Sequence, residues 1–194
     1  MRKIPPELEN PIDNVLIDAC RPVSALLHKM GWTPNDITFT SLLFGLSAIY
    51  YLLTGRFLAA AFFYLISYWM DCLDGFTARR YHQETEFGDK FDHWRDVLVN
   101  VSVYGIILYY YFKKSVVLGI IVLLVLLMLY CSSMVHLGCQ ELAHSGVKST
   151  FLSALGSICP NSSHPDQAMR TTRYLGCGSL VTVTLGLIVA LRWV

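Results

Sequence analysis

An all-α integral membrane fold is what this sequence predicts, and three observations predict it. Of its 194 residues, 54% are hydrophobic and only 15% are charged, a balance too apolar for an ordinary soluble domain. The apolar residues gather in runs close to the ~20 residues that a helix needs to cross hydrocarbon. Between the runs lie Pro, Gly, Asn and Asp signals of the kind that start and stop helices. About six transmembrane helices are expected, preceded by an N-terminal amphipathic interfacial helix. The expected organisation is one membrane catalytic domain over residues 1–194, with the interfacial helix at 11–31 and the transmembrane bundle at 34–194.

Taken in order, MRKIPPELENPIDN has no apolar h-region, so no cleaved leader is expected. Residues 15–31 place Val15, Leu16, Ala19, Val23, Leu26, Leu27 and Met30 near one helical face, and Asp18, Arg21, His28 and Lys29 near the other. That pattern suits a helix lying on a membrane surface. Thr33-Pro34-Asn35-Asp36 is a helix start signal before the first span, 37–54, which stops at Thr54-Gly55. Further spans are read at 56–80, 88–112, 115–137 and 174–194. Residues 138–173 are ambiguous. Their apolar core, Phe151 to Cys159, is short for a crossing, and a short, tilted fifth span over 141–160 is expected in preference to a loop.

A net charge of +1 and a pI near 7.6 go with no basic stripe beside the aromatics, which excludes nucleic acid as a partner. Six cysteines are scattered without paired spacing and are read as small buried hydrophobes or free thiols. Arg2, Lys3, Arg21 and Lys29 share one side of the membrane with Arg79, Arg80, Lys90 and Arg95 after two crossings. The aspartate-rich end is therefore expected to face the cytoplasm, although Lys113-Lys114 argues the other way.

Candidate chemistry concentrates in DCLDGFTARRYHQETEFGDKFDHWRD, residues 71–96. Asp71 and Asp74 are three apart and Asp92 and Asp96 four apart, spacings that stack side chains on one helical face. Carboxylates at the edge of a bilayer are costly, so four of them converging at one depth call for a cation. Oxygen ligands without nitrogen or sulfur point to Mg²⁺, Mn²⁺ or Ca²⁺ rather than zinc. Gly75, Ala78 and Gly88 lack bulk and would let a nucleotide approach the helix backbones, while Arg79 can donate to a phosphate or hold a carboxylate.

As spacing, the segment reads D-x2-D-G-x2-A-R-x8-G-x3-D-x3-D, from Asp71 through Asp74, Gly75, Ala78, Arg79, Gly88 and Asp92 to Asp96. Eight fixed positions match by chance at roughly one in 10¹⁰ per start point, which removes coincidence. The segment resembles the CDP-alcohol phosphotransferase signature at every defining position, and Pro34-Asn35 with Thr38 resembles that family's first-helix start. The likeness covers about 30–110 well and the remainder by hydropathy alone. It implies a phospholipid-synthesising transferase that cleaves a CDP-linked donor, either CDP-diacylglycerol or CDP-choline/ethanolamine. The phosphoalcohol group passes to a hydroxyl acceptor and CMP leaves, with donor or acceptor a lipid. By the same likeness Asp71, Asp74, Asp92 and Asp96 are metal-site residues for Mg²⁺ or Mn²⁺, two per site. Asp96 is also the catalytic base, Asp71 joins Gly75, Ala78, Arg79 and Gly88 around the nucleotide, and the protein is a homodimer.

Asn35, His93 and Lys148 are candidate contacts to the acceptor or substrate, and Arg170 and Arg173 could serve similarly or as interface anchors. His93 directly after Asp92 resembles the amino-alcohol branch of the family, whereas the short chain suits the CDP-diacylglycerol branch. His136, Cys139, Glu141 and His144 include zinc-type ligands, but their spacing favours interfacial hydrogen bonding. Two other readings stay open: a polytopic transporter using the acidic cluster for ions, and a catalytically inactive structural homologue. Against the first, the aspartates sit near one interface rather than at mid-membrane. Against the second, no motif position is lost.

Overall fold

Local signals set the helix boundaries. The structure, a computed structural model, describes residues 1–144 and 152–193. Asn10 caps α1 (Pro11–Lys29) by accepting from the Ile12 N–H at 2.9 Å. Thr33 and Asp36 form a reciprocal capping box at the start of α2 (Pro34–Leu53), which the Pro34 at the first position also favours. A turn at Gly55, with φ +71°, reverses the chain into α3 (Phe57–Tyr81). After a four-residue link come α4 (Glu86–Lys114) and α5 (Val116–Ala143). A 3₁₀ turn (Leu152–Ile158), α6 (Pro165–Thr172) and α7 (Cys177–Ala190) complete the chain.

Helices α2 and α3 form the tightest pair, and the sequence shows why. Ser41 Oγ donates to Ser67 O at 2.6 Å and Ser67 Oγ donates back to Ser41 O at 2.9 Å. Small hydroxyl residues that satisfy each other across an interface let helix backbones approach closely. Helix α4 then rests on α2, with Val99 against Gly45, where an added Cβ would lie 2.5 Å from the valine. The main core runs between α2, α3, α4, α5 and α7 through Leu52, Ala60, Tyr64, Val103, Ile107, Leu126 and Ile188.

Helix α1 packs on α3 through Cys20 and Ser24 and leaves Val15, Leu26 and Met30 exposed. Its buried start is pinned to α3 and α7: Asp13 accepts from the Tyr68 hydroxyl at 2.8 Å and from the Gly178 N–H at 3.0 Å. Asn10 adds a bond to Ser179 Oγ at 2.9 Å.

Among the described residues, four helical stretches are long and apolar enough to cross a membrane: Pro34–Leu53, Phe57–Tyr81, Val116–Ala143 and Pro165–Trp193. That count is below the six expected. Helix α4 has the length, but its first turns carry Glu86, Asp89, Lys90, Asp92, Arg95 and Asp96. The expected fifth span at 141–160 falls partly outside the described residues. Its described portion is the end of α5 and a seven-residue 3₁₀ turn folded against α5. Gly138 permits that contact, since a Cβ there would lie 2.2 Å from the Leu155 carbonyl oxygen.

The cysteine reading needs correction as well. Cys139 and Cys159 form a disulfide, while Cys20, Cys72, Cys131 and Cys177 remain thiols. The pair is invisible as spacing because it depends on the 3₁₀ turn doubling back beneath α5. Around it Ile4, Leu8, Ala168 and Met169 build a small second core that fixes the N-terminal segment to α5 and α6.

Candidate active site

The link between α3 and α4 is short because both helices are stopped sharply. His82 takes a left-handed conformation (φ 53°) that ends α3, and Gln83 N–H donates back to Ala78 O at 2.9 Å. Thr85 then starts α4 by accepting from the Gly88 N–H at 3.0 Å. The two aspartate pairs thereby come to one end of the bundle, beside the start of α2.

There the carboxylates of Asp71, Asp74 and Asp92 converge, one oxygen of each lying within 4.8 Å of the others. Asp74 Oδ2 accepts from Thr38 Oγ1 at 2.7 Å, which orients it from α2. Asp92 Oδ1 is buried and has no hydrogen-bond partner. Asp71 Oδ1 lies 2.8 Å from Arg95 Nη2, close enough for an ion pair but without hydrogen-bond alignment, so it too is an unsatisfied buried acceptor. Like charges this close disfavour joint ionisation unless a cation intervenes. Buried, unpartnered carboxylate oxygens are the donor set of a hard divalent ion, so these residues fit Mg²⁺ or Mn²⁺.

Asp96 stands apart from the triad. Its Oδ1 is held by Arg95 Nη1, and the side chain is 40% exposed. Arg95 is the residue that sequence reasoning treated only as a topology marker. It is 4% exposed, bridges Asp71 and Asp96, and donates through Nη2 to Ser41 Oγ. The available signal was an arginine set between two motif aspartates at the start of an apolar run.

Next to the triad opens a cavity of about 420 Å³. Asn35, Thr38, Asp74, Gly75, Ala78, Arg79, Gly88 and Asp92 line it, as do Lys3 and His144. Gly88 leaves room where α2 and α4 meet, since a Cβ there would lie 3.0 Å from Asn35 Oδ1. Arg79 Nε donates to the Met1 carbonyl at 3.0 Å, which sets the guanidinium at the cavity wall. His93 is not among the lining residues, and Lys148 lies outside the described residues. Lys3 had carried no site signal. It arrives through the N-terminal segment and pairs with buried Glu141 at 2.6 Å.

Of the His136, Cys139, Glu141 and His144 set, His136 and Cys139 are committed elsewhere, while Glu141 pairs with Lys3 and His144 lines the cavity. His136 bonds Thr172 Oγ1 at 2.9 Å and Gln140 Nε2 at 3.0 Å, and Cys139 is in the disulfide.

No curated protein and no solved structure matches the chain. The family model described as CDP-alcohol phosphatidyltransferase matches residues 31–188, which takes in the triad, the cavity lining other than Lys3, and four of the five longest helices. With most of its length matched, the chain belongs to the CDP-alcohol phosphatidyltransferase family.

Proposed function

We propose that the protein is a divalent-metal-dependent phosphotransferase that transfers a phosphoalcohol group from a CDP-linked donor to a hydroxyl acceptor, releasing CMP and forming phospholipid. The observation that carries this is the convergence of Asp71, Asp74 and Asp92, with unpartnered buried oxygens, beside a cavity of about 420 Å³. Asp71, Asp74 and Asp92 would hold Mg²⁺ or Mn²⁺, and Asp71 with Asp96 would share a second ion. Bound there, the ions would offset pyrophosphate charge.

The chain's own residues supply the rest. Gly75, Ala78 and Gly88 keep the cavity wall flat enough for a nucleotide, and Arg79 places a positive charge where its phosphates would lie. Thr38 fixes Asp74 in orientation. Asp96, more exposed than Asp71 and Asp74, would take the acceptor's hydroxyl proton as base. Asn35 lines the donor cavity, and His93 and Lys148 remain candidates for the acceptor. Incubating the purified protein with CDP-diacylglycerol, CDP-choline or CDP-ethanolamine and an acceptor panel, with CMP release as readout, tests the reading and identifies the substrates. Release above background from none of the donors would reject it.

Helix α1, with Val15, Leu26 and Met30 exposed opposite its packed face, fits an interfacial helix that leads the membrane bundle. Exposed Val101 and Tyr109 on α4 and Ile121 and Leu124 on α5 are offered as the homodimer surface. Cysteine crosslinking at these positions tests it, and absence of crosslinked dimer in native membranes counts against it. The basic residues near the site favour a cytoplasmic site. A second orientation is favoured by the Cys139–Cys159 disulfide, which lies at the same end as His144 and the cavity and suits an oxidising compartment. Glycosylation at Asn161 in intact cells would select the second orientation.

A further inference from the structure

We propose that Arg95 is a positioning residue that serves as a resident cation on the Asp71–Asp96 side of the cluster, so that two divalent ions bind in unequal steps. The inference rests on the metal reading above. A guanidinium only 4% exposed is sustained by its partners, and here those partners are split between two motif aspartates. Nη1 holds Asp96 while Nη2 faces Asp71 at 2.8 Å. The planar fork suits such bridging, which a lysine's point charge would not reproduce.

Arg95 is also fastened from behind. Its Nη2 donates to Ser41 Oγ and approaches the Ser67 carbonyl at 3.5 Å, and those two serines form the reciprocal bond that locks α2 to α3. The arginine is therefore built into the most closely packed helix pair rather than placed on a free surface.

The charge distribution around the four aspartates is consequently lopsided. On one side Asp92 Oδ1 has no partner and Asp74 has only the neutral Thr38 hydroxyl. On the other side Asp71 and Asp96 already face a positive charge. A first divalent ion meets carboxylates that have no ion-pair contact on the Asp74–Asp92 side. An ion drawing on Asp71 and Asp96 competes with Arg95 for the same oxygens and is repelled by its charge.

The test is Mn²⁺ binding to the purified full-length protein in detergent, without nucleotide, followed by titration calorimetry and by electron paramagnetic resonance of free Mn²⁺. The wild type is expected to bind one Mn²⁺ at least about tenfold tighter than the second. In Arg95→Met the second ion should tighten by about tenfold or more, a gain of affinity that general loss of structure would not produce. Arg95→Gln, which keeps the side chain's hydrogen-bonding capacity without its charge, carries the same expectation should Arg95→Met fail to fold. Two equally tight ions in the wild type, or a second affinity unchanged in the folded variant, would overturn the inference while leaving the metal reading intact. No Mn²⁺ binding by the wild type would overturn both.

Discussion

At the scale of single residues, the site separates into groups that hold charge and groups that leave space. Asp96 is held by Arg95 outside the Asp71–Asp74–Asp92 triad, and an asparagine there keeps an oxygen for an ion while removing the base, so the change should spare binding and damage transfer. Asp96→Asn is expected to bind a CDP-linked donor normally while the transfer rate falls by ~10²-fold or more. Measured donor affinity beside single-turnover rate checks this, and a wild-type rate would move the base elsewhere. Gly75 plays the opposite part. A Cβ at this position would first meet the Arg79 guanidinium, at 3.1 Å, the end of a flexible side chain, so a larger side chain can be housed by the fold yet must extend into the cavity. Gly75→Leu should therefore keep its thermal stability and lose donor binding; unchanged affinity would place the nucleotide elsewhere.

At the scale of elements, the junction of α1 with α7 offers a pH test. Burial pushes the Asp13 carboxyl up from 3.8 to about 6, despite the bonds from Tyr68 and Gly178. The folded protein therefore holds this proton more tightly than the unfolded chain, and stability attributable to Asp13 should rise as pH falls through about 6. The thermal midpoint of the wild type, compared with Asp13→Asn at pH 7 and pH 5, should show a gain on acidification that the variant lacks. Equal pH responses would reject it. Element boundaries were largely legible: Thr33-Pro34, Thr54-Gly55 and the Lys113-Lys114 pair mark helix ends that the structure reproduces within a few residues. What failed was 141–160, where hydropathy alone could not reveal that a 3₁₀ turn would fold onto Gly138 and be tied there by Cys139–Cys159.

At the scale of the whole molecule, the candidate site was legible to the extent that it was local. Asp71, Asp74, Gly75, Ala78, Arg79, Gly88 and Asp92 lie within one helix–link–helix unit, and their spacing carries their geometry. Ser41 beneath Arg95 and Lys3 at the cavity depend on contacts between segments 54 and 138 residues apart, which no spacing encodes. The same holds for the N-terminal segment, placed by Ile4 and Leu8 in a core shared with α5 and α6.

Metal-dependent transfer at the aspartate cluster is tested most directly by CMP release from a CDP-linked donor. Protein purified with chelator and then resupplied with Mg²⁺ or Mn²⁺ should release CMP only when both metal and acceptor are present. Asp92→Asn, which alters the buried unpartnered carboxylate, should lower that release by ~10²-fold or more at saturating substrate. Full turnover in chelator, or a wild-type rate in Asp92→Asn, would contradict the account.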